Sequence, residues 1–195
     1  MKTNEEAFNP EQSLRVIRET IDLAKGSVRE SGFHFLLWGW LVVLAGLIEY
    51  FGLPALGRSV HWVWGIMPLI GAPTSIVYEW RRNKLRGPRN IIRDWYGQVW
   101  MAFGISLAIV IALSIHFRVG PIPYILLLAG TATFISGTLL RFLPLKLGSM
   151  AFWLGALICI PVPVETHILI EVVATILGYL VPGYMLNYNE RKKDV

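Results

Sequence analysis

Apolar residues in this chain come in long blocks, and polar residues are confined to one leading segment and the short gaps between blocks. A helix that crosses a membrane needs about 20 mainly apolar residues. Six blocks satisfy this: 33–53 (FHFLLWGWLVVLAGLIEYFGL), 60–79 with Pro68 and Pro73, 96–116, 124–140, 147–164 ended by PVPV, and 167–186 with Pro182 near its end. The short gaps predict antiparallel neighbours. A membrane barrel would instead alternate polar and apolar positions over segments of about ten residues. The expected fold class is therefore an all-α membrane protein: six transmembrane helices as three antiparallel hairpins, preceded by a cytoplasmic amphipathic helix.

The leading segment, 1–32, contains NPEQSLRVIRETIDLAKGSVRESG, which predicts a helix over 10–31. Asn9 can cap it, Pro10 occupies the first turn where its missing N–H costs nothing, and Gln12 completes a capping box. Leu14, Ile17, Ile21, Ala24 and Val28 form one apolar stripe, flanked by the i,i+4 pairs Arg15/Glu19 and Arg18/Asp22. Between Glu11 and Glu30 there are four positive and four negative charges. That balance argues against a surface helix, which wants a cationic polar face. Packing on the protein's own loops or a short coiled coil in a dimer is the favoured role, with the membrane surface and docking of a cytoplasmic partner as the alternatives. Gly32 reads as a hinge to the first span. A polar start with its first apolar run near Phe33 is unlike a secretory signal, so the N-terminus is expected to be retained.

Charge sets the orientation. Cytoplasmic loops of membrane proteins carry the Lys/Arg excess. With the N-terminus inside, 16 of the 18 Lys and Arg fall on that side, and only Arg58 and Arg118 fall outside. The stretch RRNKLRGPRNIIRDW, 81–95, holds Arg81, Arg82, Lys84, Arg86, Arg89 and Arg93 between two apolar blocks. Gly87-Pro88 interrupts it, so a continuous basic recognition helix is not expected and neither is nucleic-acid binding. These six residues are a candidate contact for anionic lipid headgroups. Residues 187–195 form a short basic tail, and both termini are expected in the cytoplasm.

Composition agrees with this picture. Charged residues make up 16% of the chain, against about 25% in soluble domains, and the mean hydropathy is +0.53. Of eight Trp, Trp62, Trp64, Trp80 and Trp95 fall at block ends where amphipathic rings favour the headgroup level. Cys159 is the only cysteine, so no intrachain disulfide can form. Thr133/Gly137 and Ala151/Gly155 are small-xxx-small pairs suited to close helix packing. Aromatic-rich entries ending at Gly39, Gly104 and Gly155 suggest a hairpin repeat.

The catalytic signatures HExxH, GxSxG, the phosphate-binding Gly-rich loops and CxxC are not found, so no enzyme activity and no cofactor are expected. The candidate chemistry is positional. Glu49, His61, His116, Arg118, Glu165, His167 and Glu171 all map to the outer ends of the blocks, and His167 and Glu171 are i,i+4. An ionisable group at membrane depth is costly and marks function. This set is a candidate outer polar cluster for protons or solutes; its spacing fits no metal motif. His34 reads as an interfacial side chain at the inner end.

SLRVIRETIDLAKGSVRESGFHFLLWGWLVVLAGLIEYF, the basic loop, ILLLAGTATFISGTLLRFLPL and LGYLVPGYML resemble a family of uncharacterised multi-span membrane proteins of Bacteroidetes-type bacteria, over almost the whole chain. The hairpin ILLLAGTATFISGTLLRF is also similar to hairpins of the six-span acid-resistance membrane protein family. The resemblance implies a multi-pass protein of the bacterial inner (cytoplasmic) membrane and implies no particular activity. The favoured reading is a non-enzymatic protein acting through homo-oligomerisation or a cytoplasmic or membrane partner. The alternative is a small oligomeric transporter or channel with the outer His/Glu cluster sensing protons or ions.

Overall fold

The computed structural model describes residues 10–83 and 91–191, and side chains are described outside 10–31, Arg58, 82–93 and 189–191. Among the described residues all regular structure is helical. The helices are α1 (Pro10–Leu56), α2 (Trp62–Asn83), α3 (Ile91–Phe117), α4 (Ile122–Leu139), α5 (Leu143–Ile158), α6 (Val164–Thr175) and α7 (Val181–Arg191). A single-turn helix, Gly57–His61, joins α1 to α2, and a π-turn, Ile176–Leu180, makes α6 and α7 one helical run. Five stretches are long and apolar enough to cross a membrane: Gly32–Leu56, Ser59–Arg81, Asp94–Phe117, Ile122–Leu139 and Val164–Tyr188. Such helices make this a multi-pass membrane protein. The α5 helix is apolar but has 16 residues, about 24 Å at 1.5 Å per residue.

Glycines set how closely these helices approach. Gly32, Gly39 and Gly46 recur every seventh residue along α1, and a Cβ on them would meet Leu186, Leu180 and Val172 respectively. A seven-residue repeat keeps one seam of a helix facing its neighbour, so α1 runs antiparallel along the whole α6–α7 run. The helix passes through Gly32 without a break, because Gly32 is a contact with α7 and not a joint. The amphipathic stripe of 10–31 falls on side chains outside those described.

A second seam joins α4 to α5, where Gly130 faces Trp153 and Gly137 faces the backbone of Lys146. A third joins α5 to the π-turn, with Gly148 against Gly178 and Pro182, and Gly178 beneath the Phe152 ring. Gly104 has open space around it, so the three glycines of the suggested repeat are not structurally equivalent. The core fills between these seams with Phe35, Leu126, Leu145 and Phe152, each at most 2% exposed. The α2 helix packs on α1, and α3 packs mainly on α4. Two turns end on an arginine with positive φ, Arg118 (56°) and Arg141 (50°). There Val119 donates its N–H to Ser114 O, and Phe142 to Gly137 O, closing the last turns of α3 and α4.

The bundle thus has a basic end, where α2 finishes at Arg81 and α4 meets α5, and a distal end opposite it. Gly120 lies against Val164 and His167, so the α3–α4 turn and the start of α6 meet at the distal end.

Candidate functional site

Glu49 sits about two turns before the end of α1, on the face turned to the next helix. The 57–61 turn carries His61 back over it, and the first turn of α2 supplies Trp64. His61 Nδ1 is 3.0 Å from Glu49 Oε1, while Trp64 Nε1 donates to Glu49 Oε2. His61 is half exposed and Glu49 is largely enclosed, so the carboxylate is reached from the distal surface through a histidine. An exposed pair of this kind adds at most about 1 kcal/mol. In a double-mutant cycle of Glu49→Gln and His61→Gln, scored by thermal unfolding in detergent, the coupling is expected below about 1 kcal/mol. A coupling above that value would make the pair a structural strut.

Deeper in, α6 presents His167 and Glu171 one turn apart on its buried face, at 6% and 5% exposure. His167 Nε2 lies 3.2 Å from Val162 O, and its Nδ1 is buried without a hydrogen-bond partner. With the proton on Nε2 shared to Val162, Nδ1 is a bare acceptor. Glu171 makes no hydrogen bond or ion pair among the described residues. Its carboxyl is near enough to Glu49, Cys159 and Tyr179 to interact with each electrostatically.

The same face of the α6–α7 run continues with Thr175, 2% exposed, and Tyr179, 6% exposed. The four polar residues therefore step by four, and the π-turn keeps Tyr179 inward together with Gly178 and Leu180. A π-turn inserted in a helix commonly accompanies a functional site. Tyr179 is hydrogen-bonded to Thr133 on α4, and Thr133 Oγ1 gives its own proton to Ala129 O at 2.6 Å.

Of the seven residues of the expected outer cluster, the fold pairs Glu49 with His61 and places His167 and Glu171 one turn apart on the buried face of α6. His116, Arg118 and Glu165 are exposed at the same end and make no hydrogen bond or ion pair among the described residues. Arg118 has a turn-closing role, and the His116 ring packs edge-on to Phe117 at 4.9 Å. Sequence reasoning missed Trp64 as a donor, and it missed Thr133, Thr175 and Tyr179 as buried polar groups. The signal was present in HILIEVVATILGY, whose polar residues recur every fourth position.

At the basic end, Arg81 is exposed, while Lys84, Arg86 and Arg89 lie outside the described residues, as do the side chains of Arg82 and Arg93. His34 was expected as an interfacial side chain at this end. Its Nε2 lies 3.5 Å from Glu79 Oε1, beside a stacked Phe33–Tyr78 pair at 3.8 Å. These contacts close the α1–α2 pair at the basic end.

No three His, Cys, Asp or Glu among the described residues gather closely enough to hold a metal ion. A groove of about 790 Å³ between α5 and the α6–α7 run, lined by Leu147, Met150, Leu154 and Leu177 among others, contains no ionisable side chain. Among the described residues, His167, Glu171, Thr175 and Tyr179 form a buried polar line along one face of the α6–α7 run. The chain matches no family model, no curated protein and no solved structure.

Proposed function

We propose that this is a six-span protein of the bacterial inner membrane, with both termini cytoplasmic, that takes up a proton or a small cation at Glu171 from the outer side. One observation carries the reading: a carboxyl group 5% exposed in a candidate membrane span, with no hydrogen bond or ion pair among the described residues. A bare charge there costs several kcal/mol, so the group is stable only with a proton or a cation on it. Access from the distal end through His61 and Glu49 supports uptake from that side.

The α5 helix completes the six spans. The α4 helix ends at the basic end and α6 begins at the distal end, so the chain between them crosses the bundle. Local thinning of the bilayer accommodates its 16 residues at modest cost. The Lys/Arg distribution supports placing the basic end in the cytoplasm.

Ion handling is preferred over action through an oligomer or a partner. Of the small-residue pairs Thr133/Gly137 and Ala151/Gly155, Thr133, Gly137 and Gly155 are buried within the chain. No cofactor and no catalytic step are assigned.

The test is flux in liposomes. Wild-type protein is expected to dissipate an imposed proton, sodium or potassium gradient at least about tenfold faster than protein-free vesicles, and Glu171→Gln to return the rate to background. The variant must stay monodisperse in detergent for the loss to count. Wild-type rates at background under all three gradients, in both polarities, would refute the proposal.

A further inference from the structure

The groove between α5 and the α6–α7 run takes no part in ion uptake, and its two ends differ. Its floor is built from small residues. A Cβ on Gly148 would lie 3.0 Å from Gly178 O, and one on Gly155 would lie 3.3 Å from Ala174 Cβ, so the helices touch there. Longer side chains stand up on both sides. Leu147 and Leu154 rise from α5, and Val173 and Leu177 from the facing run, each at least half exposed. Close helices with tall flanking side chains leave this open groove of about 790 Å³, with no ionisable side chain in its lining. Val164–Tyr188 is one of the stretches apolar enough to cross a membrane, so the groove faces hydrocarbon.

Charge is unequal along it. Leu143 and Met185 mark the end nearest the basic end of the bundle. Arg141, two residues before Leu143, is exposed and makes no ion pair among the described residues. On the facing wall, α7 continues from Met185 to Arg191, about 9 Å further along the helix. The sequence then runs on through Lys192 and Lys193. At the opposite end, the stretch from Ile158 to Leu169 holds Glu165 and neither lysine nor arginine. Basic sites between spanning helices at one face of a membrane take anionic lipid headgroups.

A second copy of the chain is the other apolar occupant to weigh. A twofold contact sets one patch against itself. Between copies inserted the same way up, it would lay groove over groove and fill neither. It would also bring Arg141 and the basic tail of both copies to one level, cation against cation. A lipid fills the groove with its tail and supplies the missing negative charge.

We propose that this groove is a binding site for an anionic phospholipid, with an acyl chain over Gly148 and Ala151 and the phosphate reaching Arg141 and the basic tail. Hydrocarbon in one leaflet is about 15 Å deep, close to the length of α5 from Leu143 to Leu154, so the groove takes a chain to its full depth. The site is separate from the 81–93 stretch and does not rest on the reading of Glu171.

The test is native mass spectrometry of full-length protein in detergent, with phosphatidylglycerol or phosphatidylcholine of the same acyl chains added. Phosphatidylglycerol is expected to bind at least about fivefold more tightly, the factor one Lys or Arg contributes beside an anionic headgroup. Changing Arg141, Arg191, Lys192 and Lys193 together to Gln should bring the two lipids within about twofold of each other. Ala151→Phe fills the groove and should weaken both lipids at least about tenfold, the worth of two buried methylenes. Ala108→Phe, on the exposed face of α3, should leave both unchanged. If Ala151→Phe is not recovered folded, Val173→Phe fills the groove from the facing wall. Three results would each overturn the site: equal binding of the two lipids by wild type, a preference that survives the four Gln changes, or wild-type binding in a folded groove variant. A wild-type dimer that Ala151→Phe converts to monomer would overturn it in favour of a second copy.

Discussion

Replacing Gly178 with alanine is expected to destabilise the bundle by about 3 kcal/mol, at the upper end of what overpacking a core costs. A Cβ built on Gly178 falls inside the van der Waals surface of the Phe152 ring. That ring cannot swing away, because Phe152 is 1% exposed and its edge packs on Tyr179. The π-turn makes the position more demanding still, since Gly178, Tyr179 and Leu180 are all buried in succession. The loss should appear as a lower midpoint in thermal or denaturant unfolding in detergent. Pairing the change with Phe152→Leu, which shortens the obstructing side chain, should recover most of it. Full stability in Gly178→Ala alone would mean that the α5 seam is looser than described.

Gly148→Val is expected to have the larger effect and to abolish recovery of monodisperse protein. Here the obstruction is backbone: a Cβ would sit 3.0 Å from the Gly178 carbonyl oxygen, 3.2 Å from its Cα and 2.9 Å from Pro182 Cγ. No rotamer change relieves a clash with backbone and a proline ring, so the α5 and α6–α7 helices must separate. Separation would expose Ser149 and Tyr179 to lipid and forfeit the packing of Phe152. The contrast is on α3, where Gly97 and Gly104 have nothing within 4 Å of an added Cβ. Alanine at both should be neutral or slightly stabilising, since alanine is a better helix former by about 1 kcal/mol. Yield and unfolding midpoint of the two sets, measured side by side, check the claim. A folded Gly148→Val with a wild-type midpoint would contradict it.

The all-helical, multi-span character was legible because each apolar block is far longer than a strand and its ends are marked by charge and tryptophan. Local rules were less reliable at glycine. Gly32 looked like a hinge because glycine disfavours helix by about 1 kcal/mol, but one such residue does not break a helix whose bare face is filled by Leu186. The aromatic-then-glycine motif at Gly39, Gly104 and Gly155 looked like a repeat, yet only tertiary neighbours decide whether a small residue is a seam or simply faces outward. Glu171 was found through its cost at membrane depth. Tyr179, Thr133 and Ser149 were not, because a hydroxyl among apolar residues reads as a small packing residue until a neighbouring helix supplies its partner. The π-turn also leaves no mark in the sequence, being one surplus residue in a continuous helical pattern. Pairing of Glu79 with His34 depends on the angle at which α2 returns along α1, which no spacing rule contains.

The unbroken course of α1 has a mechanical consequence. Its 47 residues form a single rod of about 70 Å at 1.5 Å per residue. One end carries Glu49 and the other reaches Pro10, and no joint separates them. A swing of about 5° about Gly39 would carry Pro10 sideways by about 4 Å. The carboxylate near the distal end and the start of the polar leading helix therefore lie on one unbroken helix.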